Sequence, residues 1–554
     1  MDYTKLADLL LPNIFKTPEY YKNLYPKRNL KPNAMVTRYA PSPTGFQHLG
    51  GVFAALISER MAHQSEGIFY LRVEDTDKKR EIIGAIEDSI NTLQDFGIHF
   101  DEGVVDSNSE KGSYGPYKQS DRMEIYHTFV KDLIKKGLAY PCFCTEEALE
   151  ETRKIQQGLK INTGYHGKWA IHRNASFNEI SENLSKGNPF VIRLKSPGDP
   201  DKRIICNDLI KGTISMPEND QDIVILKTNG LPTYHFAHAI DDYLMRTTHV
   251  IRGEEWLSSL PIHLQLFEVL GFRAPNYAHI PTIMKMDGPS KRKLSKRKDP
   301  EIRVDFYKSQ GYPLISVTEY LINLVNSNFQ DWRSANINEP CTNFIIALEN
   351  MSKSGALFDI LKLNDMSKNI IASMSSDTVY NLYLAFAKEY DTAIANILIE
   401  NEDYAKQIFN IERENEKPRK DFVKWLDVRE HIEYFFDDYY KNSINASNNF
   451  PEHMPMEEVK IILTSYIDIY NHCDDADTWF SRVKELSEKL GYAKNAKTYK
   501  KNPELYKGIV SDVATVIRVA LTNRIQTQDL YEVMQVMGEK RVIERLSQNF
   551  FQNI

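Results

Sequence analysis

The stretch that most limits what this chain can become runs from Arg38 to Gly51. A β-like run, Met35–Ala40, ends in Pro41-Ser42-Pro43-Thr44-Gly45, and His48 then leads into Gly50-Gly51. The prolines stiffen the turn and cannot continue a strand or a helix interior. Beyond it Phe53, Leu56, Ile57 and Met61 recur at helical spacing, and a second apolar run, Ile68–Val73, closes on Glu74-Asp75-Thr76-Asp77. Strand, turn, helix, strand is the opening of a parallel α/β sheet. A helix starting at such a turn offers free N–H groups and a positive dipole end to an anion. Glycines let a phosphate approach the backbone, and His48 stands where it can hydrogen-bond one. A lone His-x-Gly would favour a plain β-turn beside a buried histidine.

Further along, Tyr126, Phe129, Val130, Leu133 and Ile134 mark a helix over 123–138. Residues 140–207 then mix a cysteine pair, polar loops and a β-like run at Phe190–Leu194, which reads as an insertion. The α/β pattern resumes at Ile223–Leu226, with a turn at Asn229-Gly230 and a helix opening near Thr233. After about residue 305 helical stripes dominate: Val379, Leu382, Tyr383, Phe386; Val459, Ile462, Leu463, Tyr466, Ile467; and Val513, Val516, Ile517, Ala520. The C-terminal third reads as all-helical.

With 554 residues the chain exceeds one core, and roughly three to five domains are expected. No apolar run approaches the length of a membrane span. Met1–Phe15 lacks the basic start, apolar core and small-residue cleavage site of a signal peptide and reads as a short amphipathic helix. Five sparse cysteines argue against a disulfide framework, so the cytoplasm is the expected compartment. The net charge of −7 argues mildly against nucleic acid, yet Lys285–Lys298 and Lys494–Lys501 are locally basic.

A second constellation is Lys293-Leu294-Ser295-Lys296-Arg297, downstream of Gly288-Pro289. Two lysines and a serine on a loop suit charge developing on a phosphate under attack. A basic surface loop explains most such pentamers. Together, the His-x-Gly and Lys-x-Ser-Lys words resemble the signatures of class I aminoacyl-tRNA synthetases. Ala40–Gly45, Arg72-Val73-Glu74-Asp75-Thr76-Asp77, Gly115-Pro116-Tyr117-Lys118-Gln119-Ser120 and Val250-Ile251-Arg252-Gly253-Glu254-Glu255-Trp256 resemble the bacterial-type glutamyl-tRNA synthetase family. Met351–Ala356 with Phe358-Asp359, and more loosely Ile517–Leu546, extend the likeness over about residues 35 to 548.

The resemblance implies a Rossmann-like catalytic domain in two halves, 34–122 and 208–304, around an α+β acceptor-stem domain at 123–207. It implies a helical junction at 305–370 and an all-α anticodon-binding region at 371–554, after an extension at 1–33. The implied substrates are L-glutamate, ATP with Mg²⁺, and tRNA(Glu), with no membrane partner and a monomeric enzyme. His48, Lys293 and Lys296 are the implied catalytic residues. Pro43, Thr44, Gly45, Gly50, Gly51 and Ser295, with His48 and Lys296, are placed at ATP. Arg38, Ser42, Glu74, Tyr234, His238 and Arg252 are placed at glutamate, the arginines for carboxylates and Glu74 with Tyr234 for the ammonium. Against these stand blander readings: Glu74 as a surface acid, and Arg252 salt-bridged to Glu254 or Glu255.

The sequence departs from the family pattern in places. His238 stands where asparagine is more usual, Asn523 where glycine is, and Gly51-Val52-Phe53-Ala54 where Gly-Ala-Arg-Thr is. Cys142-x-Cys144 matches a zinc-binding pair of some relatives, but Trp169 takes the place of a third cysteine, leaving His166 or His172 to compensate. Two reduced cysteines without zinc are the expected state. The alternatives are an enzyme that also charges tRNA(Gln), and a small-molecule adenylyltransferase that uses no tRNA. The long helical tail favours a tRNA substrate.

Overall fold

The computed structural model describes residues 1–295, 297–447 and 449–548. The chain forms two compact units, one of Met1–Phe306 with Val317–Asp359, the other of Tyr307–Ser316 with Ile360–Ile554.

The first unit opens with α1 (Tyr3–Leu10) and α2 (Pro18–Leu24), which precede β1 (Val36–Tyr39), α3 (Leu49–Gln64), β2 (Ile68–Leu71), α4 (Ala85–Asp95), β3 (Glu102–Val104), β4 (Glu110–Lys111) and α5 (Met123–Lys135). β1, β2 and β3 pair in parallel, and β4 closes the edge antiparallel. The amphipathic reading of the N-terminus is correct: α1 buries Leu6, Ala7 and Leu10, and packs on α5. Arg28, beyond α2, pairs with Glu102 at 2.7 Å, which ties the N-terminal residues to the sheet.

The middle of the chain supplies β5 (Ala139–Cys142), α6 (Glu146–Gly158), α7 (Phe177–Ser185), β6 (Val191–Leu194), β7 (Arg203–Asp208), β8 (Gly212–Pro217) and β9 (Val224–Leu226). β7 and β8 form a hairpin, and β5, β6 and β9 form an antiparallel sheet. Here the structure differs from the sequence reading. The run at 223–226 does not rejoin the parallel sheet but pairs with β6. A short apolar strand carries no mark of the sheet it will join.

The parallel pattern returns with α8 (Tyr234–Leu244), β10 (His249–Gly253), α9 (Leu260–Val269) and β11 (Asn276–Ile280). β10 pairs in parallel with β11. Thr248, just before β10, donates its N–H to the Val36 carbonyl at 2.9 Å and accepts the Val36 N–H on its hydroxyl at 2.8 Å. β10 therefore lies along the edge of β1 that β2 leaves free. Strand order reverses at β1, and such a switch point opens a crevice at the carboxyl ends of the strands. Beyond it β12 (Ile283–Asp287) and β13 (Ser290–Lys293) make an antiparallel pair.

Among the described residues, the regular elements of the second unit are all helices, joined by loops. The predicted stripes are its core: Val379 and Tyr383, Val459, Ile462 and Leu463, and Val513, Val516, Ile517 and Ala520 are all buried. Leu382 is exposed instead. Asn523 ends the helix Val510–Thr522 in the left-handed region at φ 55°, with its N–H on the Val519 carbonyl. Asparagine tolerates that conformation, so the cap survives the loss of glycine. Its side-chain amide also donates to Ser443 and to the Ser447 carbonyl.

The far end of α3 generates a stability prediction. His63 lies 2.8 Å from Glu59 and 3.0 Å from Asp101. Its hydrogen bonds, first to Asp101 and then to Glu59, raise its pKa to about 9. The folded value exceeds the unfolded one of about 6.5, so the stabilisation is complete below about pH 6.5 and is lost as pH rises through about 9. His63→Gln is expected to lower the thermal midpoint at about pH 6 and to cost much less at about pH 10. An equal loss at both pH values would contradict the ion-pair account.

Candidate active site

A cavity of about 710 Å³ opens at the carboxyl ends of β1, β2 and β10. It is lined by Arg38, Ser42, His48, Gly50, Gly51, Glu74, Tyr234, Arg252 and Lys293, all singled out in the sequence. Pro43, Thr44, Gly45 and Ser295 are not among its lining residues. The Pro43 carbonyl instead accepts the Ile82 N–H at 2.8 Å, which pins the turn. Lys296 lies outside the described residues.

His48 caps α3. Its Nδ1 accepts the Gly51 N–H at 3.2 Å, so in the neutral ring the proton sits on Nε2. A side chain at Gly51 would meet the Tyr39 hydroxyl and the Gln47 amide at 2.8 Å, and those two groups are hydrogen-bonded to each other. A larger residue at position 51 would have to displace that pair at the head of the helix. The Val52 and Phe53 that replace the usual family residues are buried apolar side chains.

Lys293 enters the cavity from the end of β13. The loop after it is clasped at its base. Arg292 grips Asp299 through two nitrogens, and Asp299 also accepts the Ser295 N–H at 2.8 Å. The Arg292 guanidinium holds the Asp299 carboxyl far below the usual carboxylate range.

Beneath the cavity lies a buried ionic network. Arg72, with no exposure, binds Asp242 at 2.6 Å and Glu74 at 3.1 Å. Arg38 reaches the same Asp242 oxygen at 3.4 Å. Asp241 pairs with the buried Arg122 at 2.7 Å and accepts from Tyr126 and Gln119. Burial raises the Glu74 pKa, while Arg72 and Arg38 oppose that rise. Arg38 and Arg72 thus share Asp242 and Glu74 beneath the cavity, whose lining also carries Asp77, Arg80, Lys227, Glu255 and Lys293.

Arg252 is not the structural salt bridge that its neighbours suggested. Glu254 pairs with Lys211 at 2.5 Å, and among the described residues Arg252 forms no ion pair. Its nitrogens donate to His279 at 3.0 Å and to His263 at 2.9 Å. Tyr234 packs its ring 4.5 Å from that of Trp256 at the cavity wall. His238 is fully buried and stands behind the wall, 3.0 Å from Asp242 and 3.1 Å from the Tyr277 hydroxyl. Sequence reasoning missed Arg72, Asp242, His263 and His279. Arg72 lay inside a quoted motif, but nothing in one sequence pairs it with an aspartate far along the chain.

Cys142, Cys144 and His172 bring their ligand atoms within 4.8 Å of one another, whereas His166 turns to Asp220 at 3.4 Å. The Tyr165 hydroxyl is the nearest fourth group, 3.3 Å from the Cys142 sulfur. Burial raises its pKa strongly, so it stays a protonated donor. Hydrogen bonding from Cys144, with His172 and Tyr165, lowers the Cys142 thiol. This set is one ligand short of the closed tetrahedron of structural zinc.

Residues 34–365 match the model of the class I tRNA synthetase (E and Q) catalytic domain. The chain is 58% identical to a glutamate–tRNA ligase of Clostridium perfringens strain 13, over 99% of this chain and all of that one. It is 50% identical to one of Acetivibrio thermocellus over 99% of both. The crystal structure of a glutamate tRNA ligase from Elizabethkingia meningosepticum, in complex with its amino acid, superposes with a TM-score of 0.74 at 27% identity, covering 94% of this chain and all of that one. A Rossmann-like sheet with its cavity at the switch point, a full-length likeness to such ligases and a matching catalytic-domain model lead to one conclusion: the chain belongs to the glutamyl-tRNA synthetase family of class I aminoacyl-tRNA synthetases.

Proposed function

We propose that the cavity activates L-glutamate with MgATP and passes the glutamyl group to the 3′ end of tRNA(Glu). The charge balance carries this reading. Arg252 is buried and has no carboxylate partner among the described residues, and glutamate, with two carboxylates and one ammonium, brings one negative charge. Arg38 and Arg252 take the carboxylates, and Glu74 with Tyr234 takes the ammonium. Ser42 adds a hydrogen bond at the rim, and His238 acts from behind through Asp242 and Tyr277.

The α-carboxylate of glutamate attacks the α-phosphorus of ATP, the bond to the bridging oxygen breaks, and pyrophosphate leaves. The nucleophile is already ionised, so no protein base is needed. Positioning and charge stabilisation remain for the protein. His48 donates from Nε2 to a phosphate oxygen beside the Gly50-Gly51 helix start. Lys293, with Lys296 as its expected companion, meets the charge that develops on the phosphates. Pro43, Thr44, Gly45 and Ser295 shape that end from outside the lining. A terminal ribose hydroxyl of the tRNA then attacks the glutamyl carbonyl and AMP leaves. The antiparallel and hairpin segment between α5 and α8 is the proposed seat of the acceptor stem. The helical second unit is the proposed anticodon reader, since unstacked bases suit contacts on their edges and faces. The domain limits read from the sequence belong to this proposal, apart from the strand at 224–226. A monomer in the cytoplasm without zinc completes it; among the described residues no helix is long and apolar enough to cross a membrane.

Charging assays with radiolabelled glutamate, run in parallel on tRNA(Glu) and tRNA(Gln), test the reading. Charging of tRNA(Glu) alone is expected. Charging of both would make the enzyme non-discriminating, and charging of neither by folded protein would overturn the assignment. Lys293→Ala is expected to lower kcat about a hundredfold or more, with the KM for glutamate within about threefold of the unsubstituted protein. An equal rise in the KM for glutamate would place Lys293 at the amino acid instead.

A further inference from the structure

Two kinds of buried arginine stand around the cavity. Arg72 and Arg122 are tied to carboxylates at 2.6 and 2.7 Å. Arg252, equally enclosed at 5% exposure, is held by imidazoles. The directions of its hydrogen bonds follow from chemistry alone, because a guanidinium only donates. His279 Nε2 and His263 Nδ1 must therefore both be bare acceptors. The proton of His279 then sits on Nδ1, which faces Asp208 at 2.7 Å. The proton of His263 sits on Nε2, which faces His235 Nδ1 at 2.9 Å. Every donor in the chain Asp208–His279–Arg252–His263–His235 finds an acceptor only if all three imidazoles are neutral.

The backbone fixes these partners. His279 is the cross-strand neighbour of Arg252 in the β10–β11 pair. Asp208 closes the far side, where it also accepts the N–H groups of His279, Ile210 and Lys211. His263 lies on α9, with no exposure, and its ring packs 4.3 Å from that of His238.

We propose that His263 and His279 are positioning residues that fix Arg252 through neutral imidazoles, so that its charge is spent on a carboxylate of the substrate. A carboxylate in either place would hold the guanidinium as firmly but would neutralise it before glutamate arrived. This inference rests on the reading that Arg252 binds glutamate.

Steady-state charging of tRNA(Glu) by the full chain separates the possibilities. His263→Phe keeps a ring but removes the acceptor. It is expected to raise the KM for glutamate about tenfold or more, with kcat and the KM for ATP within about threefold. His263→Asn restores an acceptor near the place of Nδ1 and is expected to stay within about threefold of the unsubstituted protein in all three constants. Arg252→Gln is the control: an unchanged glutamate KM there defeats the reading of the pocket itself. A raised KM in Arg252→Gln with an unchanged one in His263→Phe defeats the positioning role alone, as does a His263→Phe effect spread equally over glutamate and ATP. Imidazole ¹⁵N NMR of the unsubstituted protein at neutral pH reads the same assignment without a variant. It should find His263 protonated on Nε2 and His279 on Nδ1, both neutral. A charged ring or the opposite tautomer at either position overturns the proposal.

Discussion

Asp242 is the group on which the catalytic half of the molecule depends. It has no exposure, comes from the last turns of α8, and holds Arg72 from the end of β2 at 2.6 Å. Its second claimant is Arg38 from β1 at 3.4 Å. Removing one partner of such a buried set leaves a charge without compensation, at a cost of about 3–5 kcal/mol. The network therefore locks two strands and a helix together at the point where strand order reverses. It also leaves Arg38 only weakly engaged, so a structural clamp and the cation proposed for glutamate share one carboxylate.

The side proposed for the phosphates is built by other means. There the charge comes from a helix start and a loop rather than from buried ion pairs. The hydrogen-bonded Tyr39 and Gln47 side chains crowd Gly51 in the first turn of α3, and His48 folds back to cap the turn. The Arg292–Asp299 clasp keeps the base of the lysine loop closed while Lys293 reaches the cavity. The end proposed for glutamate is thus buried and cross-linked by ion pairs, while the end proposed for the phosphates is lined by His48 and Lys293. That division suits a reaction in which binding must discriminate and catalysis must follow moving charge.

Much of this was legible in the sequence. The turn after β1 announced itself through Pro41 and Pro43, and the helical stripes of the second unit through their period. Arg38, Glu74, Tyr234 and Arg252 could be grouped because each falls in a recognisable word. What remained hidden was pairing at a distance. Nothing near His263 or His279 says that they hold Arg252, because the contact exists only once α9 and β11 flank β10. His238 was placed at glutamate by resemblance alone, a few residues after Pro232-Thr233-Tyr234. The helix instead turns it inward, toward Asp242. The strand at 224–226 was misplaced for the same reason, since pairing partners belong to the tertiary structure.

The claim at the centre of this account is that one uncompensated guanidinium charge selects glutamate. The most direct measurement is the ratio of kcat/KM for glutamate over glutamine, with the same tRNA and saturating ATP. A neutral side-chain amide facing a buried guanidinium forfeits a charge-assisted pair, a loss of about 2–5 kcal/mol, or roughly three-hundredfold near the middle of that range. The account predicts a ratio of that order without any editing step. A ratio near one would show that the pocket does not read charge, and would contradict it.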